Sequence, residues 1–280
     1  MPTPRYVGKT PQATPIPEID FAGVTPLLAP AEFLAAASEL GVEFEPGDVE
    51  KLGLFLACML AFNETTNLTA IIEPGLAWRR HVLDSLTLLA PLAEVPEDGS
   101  LIDVGSGGGL PGVPLAICCP RLKITLLEAT GKKADFLRKV SAALGLANVT
   151  VVAARAEVAG HERGEKVSAG GVDVREGGLR EAFDVGVARA VGRVNVLAEL
   201  VLPFVKQGGI ALFIKGEKAT EELAEGLHAL AELGGEHVAT IETPTGKVVV
   251  IDKVNRTPRI YPRADGEPKR TPISEPRSRR

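Results

Sequence analysis

Leu101-Ile102-Asp103-Val104-Gly105-Ser106-Gly107-Gly108-Gly109-Leu110-Pro111-Gly112-Val113-Pro114 reads as an apolar strand that runs into a glycine-dense turn and then opens a helix. A chain bends this sharply from strand to helix where positive φ is tolerated, and a ligand lies against backbone where no Cβ intrudes. Pro111 and Pro114 suit the first helical turn, where a missing N–H has no partner to lose. The helix start then offers N–H groups and a partial positive charge to a bound carboxylate or phosphate. The segment is therefore expected to hold a nucleotide cofactor.

Two cofactors compete for it. Gly107-x-Gly109-x-x-Gly112 satisfies a dinucleotide pattern, and Asp103-x-Gly105-x-Gly107-x-Gly109 satisfies an S-adenosylmethionine pattern. Either match alone is weak. Asp103 tips the balance toward S-adenosylmethionine: a carboxylate near the end of an apolar strand needs hydrogen-bonded partners, which loop amides and an ammonium group supply. A structural Asp that merely caps the turn is the alternative. Glu128, ending the next strand about twenty residues on, can accept from both ribose hydroxyls. Because both cofactors carry a free ribose, Glu128 leaves an NAD-dependent oxidoreductase open.

Working outward, short apolar runs at 101–104, 123–127, 149–153, 183–187, 209–214 and 247–252 alternate with helical patterns at 111–118, 131–144, 193–205 and 217–232. Such alternation predicts an α/β fold with a doubly wound, Rossmann-like, mostly parallel sheet and a ligand at the carboxyl ends of its strands. Before it, apolar residues recur at helical spacing over 31–40, 48–63 and 73–92, a small N-terminal helical region. The expected organisation is a Pro/Thr-rich disordered leader (1–29), the helical region (30–95), the cofactor-binding domain (96–260) and a basic tail (261–280). Within the domain, the Gly- and charge-rich stretch 158–182 is expected to be a loop or insertion.

The 280 residues carry a net charge of −5, unevenly spread. From Lys253 to Arg280 nine Lys/Arg face three acids, a tail of +6 on a body of −11, the pattern of an electrostatic arm for nucleic acid or of an ordinary solvated terminus. No apolar run approaches a membrane span and residues 1–17 lack a signal-type apolar segment, so a cytoplasmic protein is expected. Cys58, Cys118 and Cys119 lack metal-type spacing and read as buried thiols; no metal site is expected.

Other residues extend the candidate site. Ala156-Glu157 follows the third strand, where an adenine edge is usually met. Arg189 lies just past the fourth, where a guanidinium can clamp a carboxylate or phosphate. Arg79-Arg80-His81-x-x-Asp84-Ser85 holds the residue types of a hydrolase triad, but spacing along one helix does not produce triad geometry. Arg80 and His81 are instead expected to face a polyanion. Lys132, Lys133, Arg138, Lys215 and Lys218 add positive charge near strand ends, any of them equally a solvated helix residue.

Taken together, Asn67-Leu68-Thr69, Arg80-His81-x-Leu83-Asp84-Ser85, Ile102 to Pro114, Leu127-Glu128-Ala129-Thr130-x-Lys132-Lys133, Ala188-Arg189-Ala190, Lys215-Gly216 and the Tyr261-Pro262-Arg263 to Pro268-Lys269-Arg270 ending resemble, in order, the ribosomal RNA small-subunit methyltransferase G family, also called glucose-inhibited division protein B. The resemblance spans roughly residues 31 to 270. It implies a class I S-adenosylmethionine-dependent methyltransferase sheet and transfer of a methyl group to N7 of the guanine at position 527 of 16S ribosomal RNA, within the 30S subunit or an assembly intermediate. Carried over, Gly105, Leu110, Glu128, Ala129 and Thr130 would contact the cofactor, Ala156 and Glu157 would flank its adenine and Arg189 would line the site; the reading of the glycine turn adds Asp103, Gly107 and Gly109 to the cofactor-binding residues. Arg189 would also position the reaction, and Arg80, His81, Lys132, Lys133 and Lys215 are candidate RNA contacts. The chain departs from the pattern in its leader, in the 158–182 stretch and at Gly246-Lys247, where the family more usually has a basic or His pair. A methyltransferase acting on a small molecule or protein is the rival reading.

Overall fold

The computed structural model describes residues 21, 23–169, 172–176, 178–189 and 192–274. Residues 1–20 and 22 of the expected leader, 275–280 of the expected tail, and Ala190 and Val191 beside Arg189 lie outside the described residues.

The strands are β1 (Ser100–Val104), β2 (Lys123–Glu128), β3 (Val149–Ala153), β4 (Glu165–Ala169), β5 (Val172–Glu176), β6 (Phe183–Arg189), β7 (Val205–Lys215), β8 (Gly235–Thr243) and β9 (Gly246–Lys253). Seven form one sheet in the order β3-β2-β1-β6-β7-β9-β8. The first five are parallel, and β9 pairs antiparallel with both β7 and β8. Chain order reverses between β1 and β6, and such a switch point opens a crevice beyond the strand ends.

Helices cover both faces, so the central strands are apolar on both sides. On one face, Leu101, Val185, Val187, Leu212 and Val248 pack with the N-terminal helices; on the other, Ile102, Val104, Ala211, Phe213, Val249 and Ile251 pack with the later helices. The N-terminal helices are α1 (Ala31–Glu39), α2 (Asp48–Asn63), α3 (Pro74–Ala77), α4 (Asp84–Leu86) and α5 (Leu89–Leu92). They share one apolar core with the sheet: Phe62 stacks 5.0 Å from Phe136, and Trp78, fully buried, sits 4.6 Å from Phe33. The helix expected over 73–92 is not uniform. Trp78–Leu83, between α3 and α4, is π-helical, a wider turn that recurs at functional sites.

The remaining helices are α6 (Gly112–Cys118), α7 (Gly131–Ala143), α8 (Ala156–Ala159), α9 (Val194–Val201), α10 (Ala219–Glu232) and α11 (Glu267–Arg270). Among the described residues no helix is long and apolar enough to cross a membrane.

Three expectations about organisation are corrected. The described end of the leader is tied down: Phe21 meets Phe136 edge-on at 6.3 Å, and the Leu27 N–H donates to the Gly53 carbonyl at 3.1 Å. The segment expected as a loop or insertion is not a structureless loop but carries the β4-β5 hairpin, paired antiparallel from Glu165 opposite Glu176 and inserted outside the main sheet. Most importantly, the C-terminal residues to 274 are docked rather than extended as an arm. Tyr261 and Ile273 enter the second core. Glu199, fully buried, accepts from the Arg263 backbone N–H (2.8 Å), Nε (2.9 Å) and Nη2 (2.6 Å). Lys253, counted with the tail cations, is buried, its ammonium bonded to the Leu202 and Leu233 carbonyls and to the Thr257 hydroxyl. The charge count could not separate these docked cations from solvated ones, because sign carries no information about burial.

Candidate cofactor site at the carboxyl ends of the strands

The turn after β1 divides its glycines between two jobs. Gly105 (φ 76°) and Gly107 (φ 55°) occupy the left-handed region, where side chains are disfavoured. At Gly112 the constraint is space: a Cβ would stand 2.3 Å from Leu126 Cδ2 and 2.8 Å from Asp103 Oδ2. Close packing of α6 on the sheet therefore requires that glycine.

Asp103 is fully buried. Its Oδ2 accepts from the Gly112 N–H at 3.0 Å, and its Oδ1 has no protein partner. Burial, opposed by that N–H and by Arg189, pushes the carboxyl pKa up to about 7. The first amide of α6 is thus already taken by the protein's own carboxylate. This corrects the expected anion site at the helix start: a pyrophosphate would have to compete with Asp103, which disfavours the dinucleotide alternative.

Glu128, also buried, spans the turn: Oε2 accepts from Gly107 N–H at 2.9 Å and Oε1 from Thr130 N–H at 2.7 Å. Each oxygen retains a lone pair for a hydroxyl donor. Beside it lies a cavity of about 220 Å³, the scale of a nucleoside. Gly105, Ala129, Ala156 and Glu157 line it, with Val196 and Leu200 from α9 as its apolar wall. Asp103, Gly107, Gly109, Leu110, Glu128, Thr130 and Arg189 do not line this cavity; all but Arg189 build or brace the turn beside it. A mostly apolar slot for a purine, a carboxylate beside it with free lone pairs, and a buried unpartnered carboxylate oxygen fit S-adenosylmethionine.

The far wall was missed from sequence. Gly266, Pro268 and Lys269 line the same cavity, held by the Gly266 N–H donating to Glu157 Oε1 at 3.0 Å and by Arg155 paired with Asp265 at 3.0 Å. The conspicuous Pro268-Lys269-Arg270 run was the available signal.

Arg189, at the end of β6, is engaged on protein groups rather than open as a clamp. Its Nη1 donates to the Arg80 carbonyl (2.7 Å) and to Asp84 Oδ2 (3.0 Å), and its Nη2 lies 3.4 Å from His81 Nδ1. Asp84 Oδ1 accepts from the Thr245 hydroxyl at 2.6 Å, while Arg79 and Arg80 donate to the Pro244 and Thr245 carbonyls. His81 is buried, and burial together with Arg189 pushes its pKa down to about 4. Neutral at ordinary pH, it accepts from Arg189 at Nδ1, and the assigned Nε2–H donates to Thr69 Oγ1 at 2.9 Å. The π-helical turn serves this arrangement by placing Arg80, His81 and Asp84 around one guanidinium.

Two candidate RNA contacts are corrected on these grounds. His81 is buried and neutral. Lys215 is largely buried, with its ammonium on the Gly192 carbonyl and Glu222, both at 2.6 Å. Arg80 and Lys132 are exposed, and Lys133 is half-buried. Cys58 and Cys119 have thiols pushed up by burial to about 11, and Cys118 moves in the same direction, so none is an activated nucleophile.

Comparison with known proteins points one way. The profile described as rRNA small subunit methyltransferase G matches residues 48–249. A protein named ribosomal RNA small subunit methyltransferase G from Sorangium cellulosum is 46% identical over 237 residues, covering 85% of this chain and 93% of its own length. Proteins of the same name from Alkaliphilus metalliredigens (39% over 241 residues; 84% and 95% covered) and Bacillus subtilis (35% over 248 residues; 86% and 98% covered) are similar along the same span.

Proposed function

Because the chain belongs to the ribosomal RNA small subunit methyltransferase G family of S-adenosylmethionine-dependent methyltransferases, we propose that it methylates N7 of the guanine at position 527 of 16S ribosomal RNA, in the 30S subunit or a precursor. The cradle of Gly105, Glu128, Ala129, Ala156 and Glu157, with a nucleoside-sized cavity, is the observation that carries the reading.

When bound, S-adenosylmethionine supplies an electrophilic sulfonium methyl group. Guanine N7 keeps an in-plane lone pair and reacts without losing a proton, so the chain need provide no general base. That requirement agrees with the site. His81 has both ring nitrogens occupied and is neutral, and the three thiols are buried or half-buried with raised pKa values. The work left to the protein is alignment and electrostatic positioning. Glu128 fixes the turn and offers acceptors to the ribose; Arg189, held by Asp84, sets a fixed positive charge at the end of β6.

The test is transfer of labelled methyl to 30S subunits and to naked 16S RNA, both lacking the modification, with the product base mapped by N7-specific strand cleavage. One cleavage at the expected guanine supports the reading. Label appearing elsewhere, or only on a small molecule or a protein, overturns it.

A further inference from the structure

A second cavity lies at the other end of the sheet. It has a volume of about 780 Å³ and opens where β6 and β7 begin, near Ala182 and Lys206. Arg189 at the opposite end of β6 is six residues beyond Phe183, a distance of about 20 Å at strand rise.

Its lining is strongly cationic in a chain of net charge −5. Arg163, Arg180, Lys206, Arg256 and Arg259 face it, against the carboxylate of Glu181. Lys206 pairs with Asp184 at 2.9 Å, and Arg256 lies 4.0 Å from Glu181. Arg180 is buried, and its guanidinium spends its hydrogen bonds on the Gly160, Tyr261, Thr257 and Pro258 carbonyls, which supply dipoles but no countercharge. Burial lowers the Arg180 pKa, and Arg163 and Arg259 add like charge in the same direction against the opposing countercharge of Glu181. Behind this wall the buried Lys253 ammonium is likewise held by neutral oxygens.

Like charges crowded around a concave surface raise the local potential and favour an anion that spans several of them. Guanidinium groups are suited to phosphate oxygens, and a cavity of this volume accepts a stretch of backbone rather than one ion. We propose that this cavity is a second docking site, remote from methyl transfer, which grips consecutive phosphodiester groups of the RNA substrate. The proposal rests on the ribosomal RNA reading above. It makes the RNA contact bipartite, one part presenting the base at the end of β1 and β6 and the other anchoring backbone about 20 Å away.

The test uses the full chain with Arg256→Gln and Arg259→Gln together; both side chains are exposed and neither belongs to the cofactor site. We expect the KM for unmodified 30S subunits or 16S RNA to rise about tenfold, with kcat, cofactor affinity and melting temperature unchanged. Each lost phosphate contact also lowers the salt slope of RNA binding, by about one per contact. Tripolyphosphate should compete with RNA on the wild type and lose that effect on the double variant. An unchanged KM and salt slope overturn the proposal. Tripolyphosphate binding that depends on these arginines while RNA affinity does not also overturn it, in favour of a small free oligophosphate. RNA retention on filters is read without methyl transfer. A wild type that retains RNA through these arginines but transfers nothing would sink the proposed function and leave this site standing.

Discussion

Asp103 and Glu199 are both carboxylates with no solvent exposure, and their surroundings treat them in opposite ways. Glu199 has each oxygen bonded to Arg263, with a backbone N–H added. Asp103 has one N–H on one oxygen and nothing on the other, and its pKa rises to about 7. A buried carboxylate is tolerated when paired and hydrogen-bonded and is otherwise costly. The closed arrangement at Glu199 is architecture that seats the C-terminal segment. The open one lies under the cofactor turn, and we propose that its unpartnered oxygen is kept for an arriving ligand.

The contrast can be broken most forcefully from the closed side. Arg263→Ala leaves Glu199 buried without its cation and should cost about 3–5 kcal/mol in denaturant unfolding. Cofactor affinity should fall with it, since Gly266, Pro268 and Lys269 lose their anchor. A loss below about 1 kcal/mol would mean that Glu199 depends on its partner no more than Asp103 does. On the open side, Arg189→Ala should lower kcat/KM about 10²–10³-fold while circular dichroism reports a retained fold. Near-normal turnover would remove Arg189 from the reaction and leave it as a tether for the π-helical turn.

Gly112→Ala sharpens the contrast by crowding Asp103 together with its neighbour Leu126. The new methyl meets Leu126 and the Asp103 carboxylate, and melting should report a loss of about 1–3 kcal/mol. The smallest effect is pH-dependent. With its folded pKa raised to about 7 from 3.8, Asp103 binds a proton more tightly folded than unfolded between those values. Cofactor-free stability should therefore fall as pH rises through that window and level off above it, and Asp103→Asn should remove the slope. A cationic group near the carboxylate favours ionisation, so calorimetry should show cofactor affinity rising from pH 6 to 8, by less than about tenfold per pH unit, in the wild type and not in the variant. A flat wild-type profile would count against the reserved charge.

The parallel core of the sheet was legible because its strands are short apolar runs separated by helical periodicity, and all six expected strands are present within a few residues. β8 escaped because an edge strand needs only one apolar face: Gly235-Glu236-His237-Val238 leaves Val238 half exposed. The β4-β5 hairpin escaped for a related reason, since two strands outside the main sheet need no apolar run. In the site, Asp103, Gly105 and Glu128 could be found because local geometry demands their residue types. The Asp84 partner of Arg189 and the cavity wall at 266–269 could not, because each depends on pairing across more than a hundred positions.

That last pairing bears on the order in which the molecule assembles. The bond from the Gly266 N–H to Glu157 closes 109 residues of chain, and closing a long segment costs entropy before its contacts repay it. The turn at Gly105 can form from neighbours within β1, β2 and α6, but the pocket gains its second wall only when the far segment arrives. Folding should therefore produce a species with a native sheet and a half-built pocket, and cofactor added to that species would speed the final docking step.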